Sequence, residues 1–261
     1  MNAIELDHVT QHYGVRPVLR DLSVHIGQGE LVAVLGPNGM GKSTLLGVMG
    51  GVLQPQRGTV SVNGLVRRSS VDNESAIRRQ AVFLPDQPWL PRNHTGREFL
   101  HAIGRLYDVP EDRYMDHAER LFGLFDLNGQ ADSPIHSYST GQKKKLALAS
   151  VLISEAKILL LDEPFSGGLD PAGIIALKHV LRHRVQTDSS TIVLTSPVPE
   201  IVEEVADRVL IIERGEILAF DTLEGLRLQS GIRASLGKIL ENLMHPETIQ
   251  GLRDYFEGET R

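Results

Sequence analysis

The apolar positions come first in short β-rich runs, at 3–9, 22–26 and, after the turn Gly27-Gln28-Gly29-Glu30, at Leu31–Leu35. The last of these is apolar throughout, the pattern of a strand buried on both faces. It leads into a glycine-rich loop and a predicted helix, Lys42–Met49, that stops at Gly50-Gly51. Further strands are predicted at 59–62 and Ala81–Leu84. From about 95 to 135 the period changes, with helical spacing at Phe99, Ile103 and Leu106 and again at Leu121, Leu124 and Phe125. Strand-like runs return at Ile158–Leu161, Thr191–Thr195 and 209–212, alternating with helical stretches. This alternation predicts an α/β fold, a mainly parallel sheet flanked by helices, with residues 95–150 as a helical insertion. From about Asp221 a separate helical tail is expected to run to Arg261, with apolar spacing at Ile232, Leu236, Ile239, Leu240 and Leu243.

Composition narrows this picture. The 261 residues are 41% hydrophobic and 23% charged, which is ordinary for a globular chain able to bury a full core. A net charge of −6 without long Lys/Arg runs argues against a general nucleic-acid binder. The absence of cysteine excludes disulfide scaffolds, cysteine nucleophiles and thiolate metal sites. Met1 to Asp7 carry no basic and apolar leader pattern, so secretion is not expected. The longest apolar runs are strand-length, far below the ~20 residues that span a bilayer, so any spanning falls to another chain.

Three motifs carry chemistry. Gly36-Pro37-Asn38-Gly39-Met40-Gly41-Lys42-Ser43-Thr44 fits G-x-x-x-x-G-K-[ST] between a buried strand and a helix. Gly36, Gly39 and Gly41 let successive N–H groups turn toward phosphate oxygens, and the helix start adds its positive dipole end. Lys42 would neutralise the β/γ-phosphates, while Ser43 offers a hydroxyl to Mg²⁺. The second motif is Asp162-Glu163 at the end of an apolar strand, the edge where ligands sit in open α/β sheets. Asp162 would hold Mg²⁺ directly or through water, and Glu163 would polarise an attacking water. The third is Tyr138-Ser139-Thr140-Gly141-Gln142, ahead of a predicted helix with Leu146, Ala149, Ser150 and Ile153 as its inner stripe. Ser139 falls in its N-cap region, where backbone N–H groups can receive a γ-phosphate. Lys143-Lys144-Lys145 oppose the helix dipole, acceptably if an anion lies nearby; for Lys144 and Lys145 the plainer reading is a solvated basic face.

Together these motifs resemble the ATP-binding subunit of ABC transporters, whose signature reads roughly L-S-G-G-Q. The resemblance covers residues 1 to about 220 and implies a P-loop NTPase core with an N-terminal antiparallel β region. It implies ATP and Mg²⁺ as cofactors, Tyr13 stacked on adenine, Asp170-Pro171 in the loop after the second acid and Gly215-Glu216-Ile217 as a closing turn. It further implies that Ser139, Gly141 and Gln142 of one subunit cap ATP on another. A homo- or heterodimer with a second ATP-binding subunit follows, as does a separate transmembrane permease and a peripheral position on the cytoplasmic face of the membrane. The Tyr-Ser-Thr-Gly-Gln signature and the Leu84-Pro85-Asp86 loop look more exporter-like than importer-like. Residues 86–106, including Trp89, Leu90 and Phe99, correspond to the family's contact region for the permease; Trp89 is either presented there or an anchor of the helical insertion.

The sequence departs from the family pattern at three places. The family's loop Gln falls on Asp86, which can approach Mg²⁺ directly or through water but adds negative charge beside phosphates. The family's switch His falls on Pro197, which has no side-chain donor and no N–H; Pro197 and Pro199 are also placed to start the following helix. The segment Phe165-Ser166-Gly167-Gly168-Leu169-Asp170 carries one extra residue. A weakly hydrolysing regulatory partner in an asymmetric dimer is therefore an alternative reading, and a soluble ABC ATPase acting on nucleic acid is another.

Overall fold

A computed structural model describes residues 1–231 and 234–244. Two sheets and the helices between them position everything that follows. The N-terminal hairpin, β1 (Asn2–His12) and β2 (Pro17–Gly27), joins β4 (Arg57–Val62) and β5 (Leu65–Val66) in a four-stranded antiparallel sheet ordered β2-β1-β4-β5. The second sheet has six strands. Its members are β3 (Leu31–Leu35), β6 (Ala81–Leu84), β7 (Ile158–Leu161), β8 (Thr191–Thr195), β9 (Arg208–Glu213) and β10 (Glu216–Asp221), in the order β10-β9-β3-β8-β7-β6. Only the β9–β10 pair is antiparallel, closed by the predicted turn at Gly215 (φ 82°). The expected α/β fold with a mainly parallel sheet is thus what the chain adopts.

The alternation of side chains along β3 explains its unbroken apolar run. Leu31, Ala33 and Leu35 enter one core, and Val32 and Val34 enter the other. The second core lies between the two sheets and takes in α1 (Lys42–Met49) through Leu45, Leu46, Val48 and Met49. The first core lies under most of the other helices. These are α3 (Gly96–Leu106), α4 (Glu111–Leu124), α5 (Thr140–Ile153), α6 (Pro171–Asp188) and α7 (Pro199–Val205), with the C-terminal α8 (Leu223–Ser230) and α9 (Leu236–Met244). Thr95 opens α3 with a capping box: its Oγ1 accepts from the Glu98 N–H, and Glu98 Oε2 accepts from the Thr95 N–H.

Several expectations needed correction. One helix, α2 (Val71–Gln80), has no apolar stripe to announce it; only Ile77 is buried, and the Ser70 cap with acids first and arginines last sets it. In α5 the single inner stripe gives way to burial on nearly every side, while Ser150 is half exposed. Lys144 and Lys145 are buried there, not solvated. Pro199, capped by Val198, begins α7, so Pro197 stands outside the helix. In the described part of the helical segment after Asp221, Leu226, Leu236 and Leu240 enter the first core. Ile232 and residues 245–261 lie outside the described residues.

Candidate active site

Sheet order brings the chemistry together. Strand β8 lies between β3, which leads into the glycine loop, and β7, which leads into the acids. The three strands are parallel, so their carboxyl ends open on one edge.

The loop at 36–41 has the backbone its glycines permit. Gly36, Gly39 and Gly41 have φ of 153°, 79° and 104°. Space enforces two of them: a Cβ at Gly36 would overlap the Ile212 carbonyl oxygen, and one at Gly41 would come within 2.9 Å of the Val18 carbonyl oxygen. Gly41 caps α1 without a side chain, so the first N–H groups of that helix have no protein side-chain acceptor and suit an anion. Lys42 is only 6% exposed, and its Nζ donates to the carbonyls of Gly36 (2.8 Å) and Pro37 (3.1 Å). Burial pushes the Lys42 ammonium below its usual range, against Glu163 and Asp162, which pull it back up. The strand order puts the cation and the two carboxylates on the same edge of the sheet, either side of β8. Ser43 is exposed at the helix start, and Thr44, buried behind it, lies 3.4 Å from the Tyr13 hydroxyl. Tyr13 is otherwise exposed, its ring open to a planar ligand. Asn38 is exposed, Pro37 is half-buried, and Met40 is held by its sulfur, which accepts from the Arg214 N–H.

One residue arranges the acids, and sequence reading missed it. Thr195, fully buried at the end of β8, donates its hydroxyl to Asp162 Oδ1 at 2.7 Å and accepts the Glu163 N–H at 2.7 Å. Glu163 has φ 47°, a left-handed conformation that costs a non-glycine residue about 1–3 kcal/mol. That Thr195 bond and Ser166 hold it: the Ser166 Oγ lies 2.9 Å from the Glu163 carbonyl and 3.1 Å from its Oε2. A hydroxyl at a strand end beside an acid pair was the available signal.

The signature has the predicted cap. Ser139 Oγ accepts from the Gln142 N–H (3.2 Å), and Gln142 Oε1 accepts from the Ser139 N–H (2.9 Å). Gly141 is pressed from the other side: a Cβ there would be 2.6 Å from the Gly168 carbonyl oxygen. Gly141 of the signature thus packs on the loop with the extra glycine. Lys145 donates to Asp170 Oδ2 at 2.8 Å, which, with the Gly173 N–H, holds the Asp170 carboxyl below its usual range. Asp170 in turn caps α6, whose first residue is Pro171. The Asp86 carboxylate, expected near a metal, is turned to Lys144 (3.8 Å).

The donor set suits Mg²⁺. Among the described residues no cluster of three His, Cys, Asp or Glu side chains could hold a metal alone. One carboxylate, Asp162, and one hydroxyl, Ser43, would have to be completed by phosphate oxygens and water, which is how Mg²⁺ is commonly bound.

Known proteins resemble the chain in sequence and in fold. The family model described as ABC transporter matches residues 19–166. The chain is 32% identical over 229 residues to a daunorubicin resistance ATP-binding protein of Streptomyces coeruleorubidus, covering 88% of this chain and 71% of the relative. A cytochrome c biogenesis ATP-binding export protein of Xylella fastidiosa is 34% identical over 189 residues, covering 72% of this chain and 81% of the relative. A solved ATP-binding subunit of an ABC transporter superposes with a TM-score of 0.85 at 30% identity, covering 92% of this chain and 99% of that one. The chain belongs to the ABC transporter family, as one of its ATP-binding, ATP-hydrolysing subunits.

Proposed function

We propose that the chain binds Mg·ATP between its own 36–44 loop and the Ser139–Gln142 signature of a second ATP-binding subunit, and that closure and reopening lever a separate transmembrane permease at the cytoplasmic face of the membrane. The observation that carries the reading is the setting of Lys42, a buried ammonium held on the Gly36 and Pro37 carbonyls at the sheet edge where β7 delivers Asp162 and Glu163. In this reading Lys42 and the N–H groups of the loop bind the β- and γ-phosphates, Tyr13 stacks on adenine, and Ser43 with Asp162 would hold Mg²⁺. The ion supplies charge neutralisation on the phosphate oxygens. Glu163, steadied by Ser166, takes the proton of the attacking water. Ser139, Gly141 and Gln142 meet the γ-phosphate of the neighbouring subunit. The two named relatives are, by their names, a resistance protein and an export protein, which supports outward transport. The matched family is one of transporters, which favours a permease over nucleic acid as the partner.

Trp89 supplies the test of the permease. The residue is 81% exposed, so it anchors no core and is free to be covered. Trp89→Ala is expected to abolish transport by the reconstituted complex while basal ATPase stays within about twofold and the melting temperature is unchanged. Copurification of the wild-type chain with a polytopic membrane protein, lost in the variant, is the accompanying measurement. Transport at the wild-type rate in Trp89→Ala would remove this loop from the interface.

One observation favours reduced hydrolysis as a second reading. Pro197 stands exposed in the turn between β8 and α7, with no donor for a γ-phosphate. A donor acting mainly in the transition state can be worth roughly 10²-fold in rate. Pro197→His is therefore expected to raise ATP turnover by up to about that factor with little change in ATP affinity. Pro199, not Pro197, opens α7, so the variant should melt close to wild type. A stable, dimerising variant with wild-type turnover would dispose of the reduced-activity reading.

A further inference from the structure

Lys144 poses a problem that the ATPase reading leaves unsolved. Its side chain is 4% exposed, although a lone ammonium strongly resists leaving water. Its stem runs beneath the extra-glycine loop: a Cβ at Gly167 would lie 3.6 Å from the Lys144 Cδ. Its Nζ donates to the Asp86 carbonyl at 3.4 Å and lies 3.8 Å from the Asp86 carboxylate. Burial pushes the ammonium below its usual range, and Asp86, followed by Asp162 and Glu163, acts in the opposite direction. A cleft of about 470 Å³ opens beside the pair, bordered by Gln87, Thr140, Lys143 and Gly167.

The carboxylate and the ammonium explain each other. An acid at position 86 would add a negative charge close to bound phosphates, whereas the Lys144 ammonium 3.8 Å away offsets part of that charge. The two residues are 58 positions apart, one on the loop after β6 and the other in the first turns of α5. We propose that Lys144 is a positioning residue that grips Asp86 and so ties the 85–92 loop, with Trp89 on it, to the signature helix of the same chain. This inference extends the permease reading, because that loop is the segment assigned to the partner. The tie makes the loop move with the signature when a neighbouring nucleotide engages it. Asp86 acts through this link, and not as a free metal ligand. The neighbouring Lys145–Asp170 pair makes a parallel link to the loop after the acids.

Trp89 is the only tryptophan of the chain and lies three positions from Asp86, so its fluorescence reports on the loop directly and without nucleotide. Steady-state anisotropy of Trp89 would be measured in wild type, Asp86→Asn, Lys144→Met, Lys144→Arg and the Asp86→Asn/Lys144→Met double variant. The tie predicts lower anisotropy in both neutralised variants, wild-type anisotropy in Lys144→Arg, and a double variant no different from either single one. In ATPase assays kcat is expected to fall about 3- to 10-fold with KM for Mg·ATP nearly unchanged, again without additivity. Asp86 is 42% exposed, so Asp86→Asn tests the pair even if Lys144→Met fails to fold. Wild-type anisotropy in a folded Asp86→Asn would overturn the proposal, as would additive effects in the double variant. Because the fluorescence needs neither ATP nor permease, that failure is distinct from a failure of the transport reading.

Discussion

Lys42→Ala is expected to weaken ATP binding by about 10- to 100-fold while the protein keeps its fold. Hydrogen bonds to charged groups contribute roughly 1.5–3 kcal/mol, and each 1.4 kcal/mol is about tenfold in affinity. The ammonium rests inside the loop on the carbonyls of Gly36 and Pro37, where a phosphate would find it already in position. The loop itself does not depend on the side chain. Its turns are set by the positive φ of Gly39 and Gly41 and by the close approach of Ile212 and Val18 at Gly36 and Gly41. Removing a buried ammonium also relieves a desolvation cost. Titration calorimetry with ATP, run beside thermal melting, checks both halves. An unchanged affinity in a folded variant would move the nucleotide away from residues 36–44.

Glu163→Gln separates binding from chemistry. Glutamine keeps the size of the side chain and can still accept from the Ser166 hydroxyl, but it cannot take a proton at neutral pH. The left-handed backbone at Glu163 is fixed by the Thr195 hydroxyl through the main-chain N–H, which the substitution leaves alone. The phosphate loop and Asp162 are untouched. Turnover is therefore expected to fall by about 10²- to 10⁴-fold, the usual contribution of a positioned base, with ATP affinity near wild type. In sedimentation, ATP left unhydrolysed should stabilise the association of two ATP-binding subunits. Equal kcat in the variant and the wild type would assign the base to another residue.

How much of this was legible in the residues depends on how local each cause is. The strands β3, β7 and β8 are read to their ends because both faces of each are buried, so β3 and β7 are apolar throughout and β8 is apolar between its two terminal threonines. The phosphate loop is legible because backbone conformation and close approach act on single glycines within a few positions. By contrast, α2 is set by a serine cap and the order of its charges, and its one buried side chain makes no periodic signal. Tertiary contacts hide the rest. Thr195 reaches Asp162 across 33 positions, and Lys145 reaches Asp170 across 25. The lysines of α5 therefore look solvated in the sequence, because the carboxylates that permit their burial belong to other loops. The same applies to Asp86, which reads as an acid facing phosphates until the fold supplies Lys144.

Binding of ATP at residues 36–44 and its cleavage through Glu163 can be tested together. The most direct measurement is native mass spectrometry of the Glu163→Gln chain after incubation with Mg·ATP, identifying the retained nucleotide. Intact ATP is expected on this variant, where the wild-type chain has turned it over to ADP. ADP on the variant, or a chain that retains no nucleotide, would contradict it.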